Sequence, residues 1–162
     1  DAPILKEPEM KIGDFGRLQG LDGNQKMGKS LGNAIYLSDD EKTIETKVRA
    51  AITDPARIHK TDLGHPEICV VSKYHQIFTP LEYDNICQMC RAGTIGCMAC
   101  KKTLVQSLNH LLAPFREKRA YYETHLDEVK DIISAGNARA NAIGTETLAK
   151  VKNAMHLDIG VK

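Results

Sequence analysis

Two groups of residues in this 162-residue chain have the types and spacing to do chemistry. The first is Lys26-Met27-Gly28-Lys29-Ser30, with two lysines three apart around a glycine. Point charges on flexible stems, carried by a Gly-flanked loop, can close over a triphosphate and neutralise the charge that develops on a departing pyrophosphate. Ser30 can add a hydrogen bond. The second is Cys87, Cys90, Cys97 and Cys100, a C-x2-C-x6-C-x2-C run, with Cys69 in C-x20-C spacing ahead of Cys90. Two CxxC pairs separated by a Gly-containing loop are a strong signal for metal. Four thiolates from Cys87, Cys90, Cys97 and Cys100 suit tetrahedral zinc, and four thiolates equally suit an iron–sulfur cluster. Five cysteines is an odd number. The opening Asp1-Ala2-Pro3-Ile4-Leu5-Lys6-Glu7 has neither the basic nor the apolar region of a signal peptide, so disulfides are not expected. That opening reads as an internal cut, and the chain is expected to be the carboxy-terminal part of something larger.

The elements that must position these groups read mainly as helix. Residues 1–37 carry Gly13, Gly16, Gly20, Gly23, Gly28 and Gly32 and read as a loop, with room for short strands at Ile4-Leu5 or Arg17-Leu18. Ser38 opens a predicted helix through a capping box with Glu41. Ile44, Val48 and Ile52 form its apolar stripe, and Asp54-Pro55 ends it. A second helix or turn is expected near Pro66 to Phe78, after Gly64. Residues 84–96 read as a loop holding Gly93 and Gly96. Leu104, Leu108, Leu111, Leu112 and Phe115 form a strong helical stripe, with Pro114 as a kink or a new start. Leu126, Val129 and Ile133 make another, capped by Thr124 and stopped at Gly136. Ala138 to Met155 suggest a last, Ala-rich helix. Residues 38–162 thus read as one helical domain.

Composition bounds the function classes. With 42% hydrophobic and 27% charged residues the chain matches soluble globular proteins. No run of about 18 apolar residues is present to span a membrane. A net charge of +1 excludes a globally basic nucleic-acid binder but not a local patch. Such a patch exists: residues 91–119 hold Arg91, Lys101, Lys102, Arg116, Lys118 and Arg119 against Glu117 alone. Tyr74, Phe78, Tyr121 and Tyr122 are able to stack on bases, although a core role is the default for them, as a structural role is for His59, His65 and His75.

Gly23-Asn24-Gln25-Lys26-Met27-Gly28-Lys29-Ser30 also fits the G-x-x-x-x-G-K-[ST] loop of P-loop nucleotide hydrolases. Its context disagrees. Gly16 to Asp22 is no buried strand, and Gly32 would cost about 1 kcal/mol in the helix that should follow. Lys26 to Ser30 resembles instead the K-M-S-K-S loop of class I aminoacyl-tRNA synthetases. Leu31-Gly32-Asn33-Ala34-Ile35-Tyr36-Leu37, the stretch from Lys47 to Arg57, and Gly64-His65-Pro66-Glu67-Ile68-Cys69 resemble the tryptophanyl-tRNA synthetase family specifically. The resemblance runs from about Pro3 to Asp158. Gly28 stands where that family usually has Ser, which should loosen the loop.

The resemblance implies a mainly α fold, with a remnant of a Rossmann-like catalytic domain over 1–37 and an anticodon-binding domain over 38–162. It implies a cytoplasmic, homodimeric parent that uses ATP with magnesium to attach tryptophan to its tRNA. Lys26 and Lys29 would stabilise pyrophosphate, Ser30 would bond to phosphate, and the Met27 backbone would touch adenine. A subset of the bacterial family binds a four-iron, four-sulfur cluster through a pattern that maps onto Cys69, Cys90, Cys97 and Cys100. Cys87 competes with Cys69 for the fourth place, and zinc remains the alternative metal. The family's anticodon-binding role implies that Arg91, Lys101 and Lys102 contact tRNA. The family's His-Ile-Gly-His type signature and tryptophan pocket are not in these residues, so the chain alone is expected not to activate tryptophan. A stand-alone metal-dependent RNA-binding module and a P-loop hydrolase are the alternative readings.

Overall fold

The computed structural model describes residues 3–24 and 26–157. The readings that fall on Asp1, Ala2, Gln25 and Asp158 lie outside the described residues. Within them the chain forms α1 (Glu41–Ala50), α2 (Val70–Phe78), α3 (Tyr83–Arg91), α4 (Cys97–Thr124) and α5 (Leu126–Ala154), plus one 3-10 turn at Lys29–Leu31. No strand occurs among the described residues, so the short strands anticipated at Ile4-Leu5 and Arg17-Leu18 are absent. The chain divides into two compact units, one over Ile12–Lys118 and one holding residues 3–11 with 119–157.

In the first unit, Asp40 rather than Ser38 caps α1. A turn from Tyr36 to Asp39 (Asp39 N to Tyr36 O, 3.0 Å) takes up Ser38. Asp40, extended at φ −75° and ψ 170°, accepts from Thr43 N at 2.7 Å. Ile44 and Val48 are fully buried, whereas Ile52 falls beyond the helix end and is exposed. They meet Val70, Val71 and Tyr74 of α2 and Leu104, Leu108 and Leu112 of α4 in one core that also takes in Leu21. Burying a side chain of this size stabilises the fold by about 1.5–3 kcal/mol. Leu111 and Phe115 are off that stripe and exposed.

Three boundaries differ from the sequence reading. The second helix starts at Val70, after turns over Pro66 to Cys69. Helix α3 takes in Tyr83 and residues 84–91 of the stretch read as a loop, and it buries Ile86 and Cys87. Gly93, at φ 69°, reverses the chain just after it. Pro114 lies inside α4 and does not end it.

In the second unit, α5 runs through Gly136 as one 29-residue helix and absorbs the separate Ala-rich helix anticipated after it. His125, not Thr124, stands at its N-cap, without a side-chain capping bond, and its ring stacks on Tyr121 at 3.9 Å. The Tyr121 hydroxyl donates to Glu128 at 2.8 Å. Lys150 pairs with Glu146 one turn away at 2.6 Å. No residue of α5 is buried within the described structure. Among the described residues no helix is long and apolar enough to cross a membrane.

Candidate nucleotide loop and cysteine site

The lysine loop is pinned from inside and open outside. Met27 packs against the core. On either side of it Lys26, Lys29 and Ser30 are exposed. Gly28 is extended (φ −147°, ψ 139°), and Lys29–Leu31 close a 3-10 turn (Leu31 N to Gly28 O, 3.1 Å). Gly32, at φ 63°, has the left-handed backbone that lets the chain turn back into Asn33, a conformation that favours glycine. Gly28 does not hang loose, as a Gly-for-Ser exchange suggested: its amide donates to Asn33 Oδ1 at 2.8 Å. The Asn33 side-chain nitrogen donates to Lys26 O at 3.1 Å and to Asp22 Oδ1 at 2.9 Å. The bond from Asn33 first, and then those from the Asn24 amide and side chain, hold the Asp22 carboxyl below its ordinary range against some loss of water.

The five cysteines fall into two places. Cys87 is buried against Ser72 (Sγ to Oγ 3.9 Å). Cys69, Cys90, Cys97 and Cys100 lie near enough to act on one another. Burial first, then Cys69, Cys90 and Cys97, push the Cys100 thiol up to about 12. Cys90 is raised by burial; Arg57 opposes that, and Cys69 and Cys97 add to it. The four sulfurs come from three parts of the fold. Cys69 immediately precedes α2, Cys90 sits in the last turn of α3, and Cys97 and Cys100 share the first turn of α4. Among the described residues no group of three His, Cys, Asp or Glu side chains is placed to hold a single metal ion. Tetrahedral zinc would need its sulfurs about 3.8 Å apart, given Zn–S near 2.3 Å.

Residues that the sequence reading passed over build the walls of this site. Arg57 donates to Lys60 O (2.7 Å) and Ile95 O (2.6 Å) and approaches Cys90 Sγ at 3.7 Å. Its Nε is buried without a hydrogen-bond partner among the described residues. The Gly64 amide donates to Cys90 O at 3.0 Å. A Cβ at Gly64 would overlap the Cys90 sulfur and press on its carbonyl oxygen at 3.1 Å. His75, fully buried, bonds Thr79 Oγ1 through Nδ1 (2.6 Å) and lies 3.3 Å from Cys100 Sγ through Nε2. Asp54 braces the loop before Gly64. Burial raises its carboxyl, but bonds from the His65 ring (2.8 Å) and from the Ala56 and His65 amides outweigh that and lower it.

The basic patch is only partly a free surface. Lys102 is exposed. Arg91 is exposed and paired with Glu67 at 2.5 Å. Lys101 corrects the expectation placed on it. It is 7% exposed and points inward, donating to Arg49 O (2.7 Å) and Ala51 O (2.6 Å) at the carboxy-terminal end of α1. There it meets the negative end of the helix dipole. The signal was available: Lys101, Leu104 and Leu108 are spaced i, i+3, i+7, on the buried face of α4. Arg116 is likewise engaged, with Asp39 O at 3.0 Å and Asn109 Oδ1 at 2.6 Å. Tyr74 is buried, and its hydroxyl donates to Gln19 O at 2.6 Å, so it stacks on no base.

The unit over Ile12–Lys118 thus carries an exposed lysine loop and a cluster of thiols. Residues 3–113 match the tRNA synthetases of class I (W and Y). The chain belongs to that family. It is 38% identical over 156 residues to the tryptophan–tRNA ligase of Aquifex aeolicus, covering 95% of this chain and 39% of that protein. With the tryptophan–tRNA ligase of Treponema pallidum it shares 41% identity, over 95% of this chain and 46% of that one. The crystal structure of tryptophanyl-tRNA synthetase from Campylobacter jejuni, complexed with ADP and tryptophan, superposes with a TM-score of 0.75. At 24% identity over 88% of this chain and 44% of that one, it speaks for the fold alone. The chain thus spans less than half the length of these relatives.

Proposed function

We propose that this chain is the carboxy-terminal part of a tryptophan–tRNA ligase, to which it contributes the pyrophosphate-binding loop and the anticodon-binding region. The observation that carries the proposal is the loop itself: Met27 is packed inward while Lys26, Lys29 and Ser30 face outward on either side of it. In the first step the carboxylate of tryptophan attacks the α-phosphate of magnesium-bound ATP, and pyrophosphate leaves. Lys26 and Lys29 take up the negative charge that grows on the leaving group, and Ser30 donates to phosphate oxygen. In the second step the terminal ribose hydroxyl of the tRNA takes the tryptophanyl group and AMP leaves. Met27 contributes to adenine contact through its backbone. Residues 1–37 then read as the end of a Rossmann-like catalytic domain and 38–162 as the anticodon-binding domain of a homodimeric enzyme.

The thiols of Cys69, Cys90, Cys97 and Cys100 are the residues that would hold a four-iron, four-sulfur cluster. Burial and the neighbouring sulfurs raise the proton affinity of Cys90 and Cys100 beside the Arg57 guanidinium, and a positively charged inorganic core would relieve the repulsion among the thiolates. When bound, the cluster supplies a cross-link between the segment before α2, the end of α3 and the start of α4. Arg91 and Lys102, which flank those segments, contact the phosphates of the tRNA.

Protein purified without oxygen tests the reading. Iron and sulfide with visible charge-transfer absorption, and retention of tryptophan tRNA in preference to an unrelated tRNA, are expected. The chain alone should not exchange pyrophosphate into ATP. Zinc without iron would overturn the cluster, and equal retention of both tRNAs would overturn the assignment.

A further inference from the structure

We propose that Asn33 is a clasp that holds Lys26 and Lys29 at a fixed spacing, a positioning residue for the lysine loop. The purpose of that spacing rests on the polyphosphate role given above; the clasp itself does not. Asn33 is 4% exposed, and its carbonyl accepts from Leu21 N at 2.9 Å. Leu21 in turn is buried and accepts from Ile52 N at 2.8 Å, just past α1. The residue is therefore tied to the core through its backbone, leaving its side chain to act on the loop.

That side chain engages one acceptor and both donors. Oδ1 receives the Gly28 amide, while Nδ2 gives one hydrogen each to Lys26 O and Asp22 Oδ1. The amide can sit only one way round, because a carboxylate and a carbonyl both require the nitrogen to face them. Asp22 thus orients Asn33, and Asn33 orients the loop. The Lys26 carbonyl and the Gly28 amide are turned inward, which leaves the two lysine side chains pointing to solvent. Gly20 makes the room, since a Cβ there would overlap the Asn33 amide group. Without the clasp, the part-buried Lys26 carbonyl and Gly28 amide lose their partner, and the segment between the lysines is free to move.

Limited trypsin digestion of the full chain, without ligand and followed peptide by peptide, tests this. Asn33→Ala is expected to speed cutting after Lys26 and Lys29 roughly tenfold. Cutting after Lys118 and Lys130 should stay within about twofold, and Asp22→Asn should give a smaller rise with the same restriction. Should Asn33→Ala fail to fold, Asp22→Asn decides. Cutting at the wild-type rate in the folded variants, or a rise shared by all four sites in step with a lower melting temperature, overturns the clasp. A second arm adds magnesium tripolyphosphate. Protection of wild-type Lys26 and Lys29, needing about tenfold more ligand in Asn33→Ala, is expected. Absence of protection in the wild type would defeat the polyphosphate role while leaving the ligand-free rates to judge the clasp.

Discussion

Replacing Lys101 with methionine separates a lysine that holds helices together from one that meets RNA. The ammonium donates to two carbonyls at the end of α1, at 2.7 and 2.6 Å. Hydrogen bonds from a charged donor are worth about 1.5–3 kcal/mol each. Against them stands the cost of keeping an ammonium out of water, which burial registers by lowering its proton affinity, opposed by the neighbouring Cys97, Cys69 and Cys100. Methionine keeps the packing of the stem and relieves that cost, so a net loss of about 2 kcal/mol is expected. For a chain of this size that lowers the melting temperature by about 4–8 °C. Lys102→Met, on the exposed side, should change stability by less than about 0.5 kcal/mol. The two variants should exchange places in RNA binding. Lys102→Met lowers the slope of log affinity against log salt by about one contact, and Lys101→Met leaves it alone. Circular dichroism melts and filter binding across a salt series read both. Lys101→Met protein that melts with the wild type, or that flattens the salt dependence, would refute the inward role.

Reversing Arg91 and Lys102 together to glutamate should weaken tRNA binding and lower the salt slope by roughly two contacts; unchanged affinity at every salt concentration removes the proposed RNA face. Gly28→Ser should fold within about 0.5 kcal/mol of the wild type, because the backbone there is extended and a Cβ meets only the exposed Leu31 side chain, at 3.3 Å. A loss above about 2 kcal/mol in urea unfolding contradicts that account. Asp54, held below the unfolded value of about 3.9, contributes stability that is present above that pH and lost as pH falls through the folded value. The gap in melting temperature between wild type and Asp54→Asn should therefore be widest near neutrality and close in acid; a constant gap argues against the Asp54–His65 bond.

The parts of the fold that were legible in the sequence are those where burial follows a simple period. Ile44 with Val48, and Leu104 with Leu108 and Leu112, mark the core faces of α1 and α4 without ambiguity. Helix α3 was hidden because its buried residues are Ile86 and Cys87, and cysteines spaced for metal suggest a loop more readily than a helix face. Gly136 failed to stop α5 because its backbone is not left-handed; a single glycine costs about 1 kcal/mol in a helix. Same-face pairs such as Glu146 with Lys150 offset part of that. The lysine loop and the cysteine spacing were visible as letters. What held them was not: Arg57, Gly64 and His75 act through contacts across distant segments that no local pattern announces, and Asn33 acts within its own loop through a side chain that no periodicity marks.

The bare Cα of Gly64 sets a condition on ancestry. Four sulfurs at suitable intervals do not suffice to rebuild this pocket, because any side chain at that position has to push the end of α3 away from the segment before α2. A related chain that keeps every thiol but has lost this hydrogen-only residue must have rearranged its backbone there. Counting cysteines alone would miss that divergence.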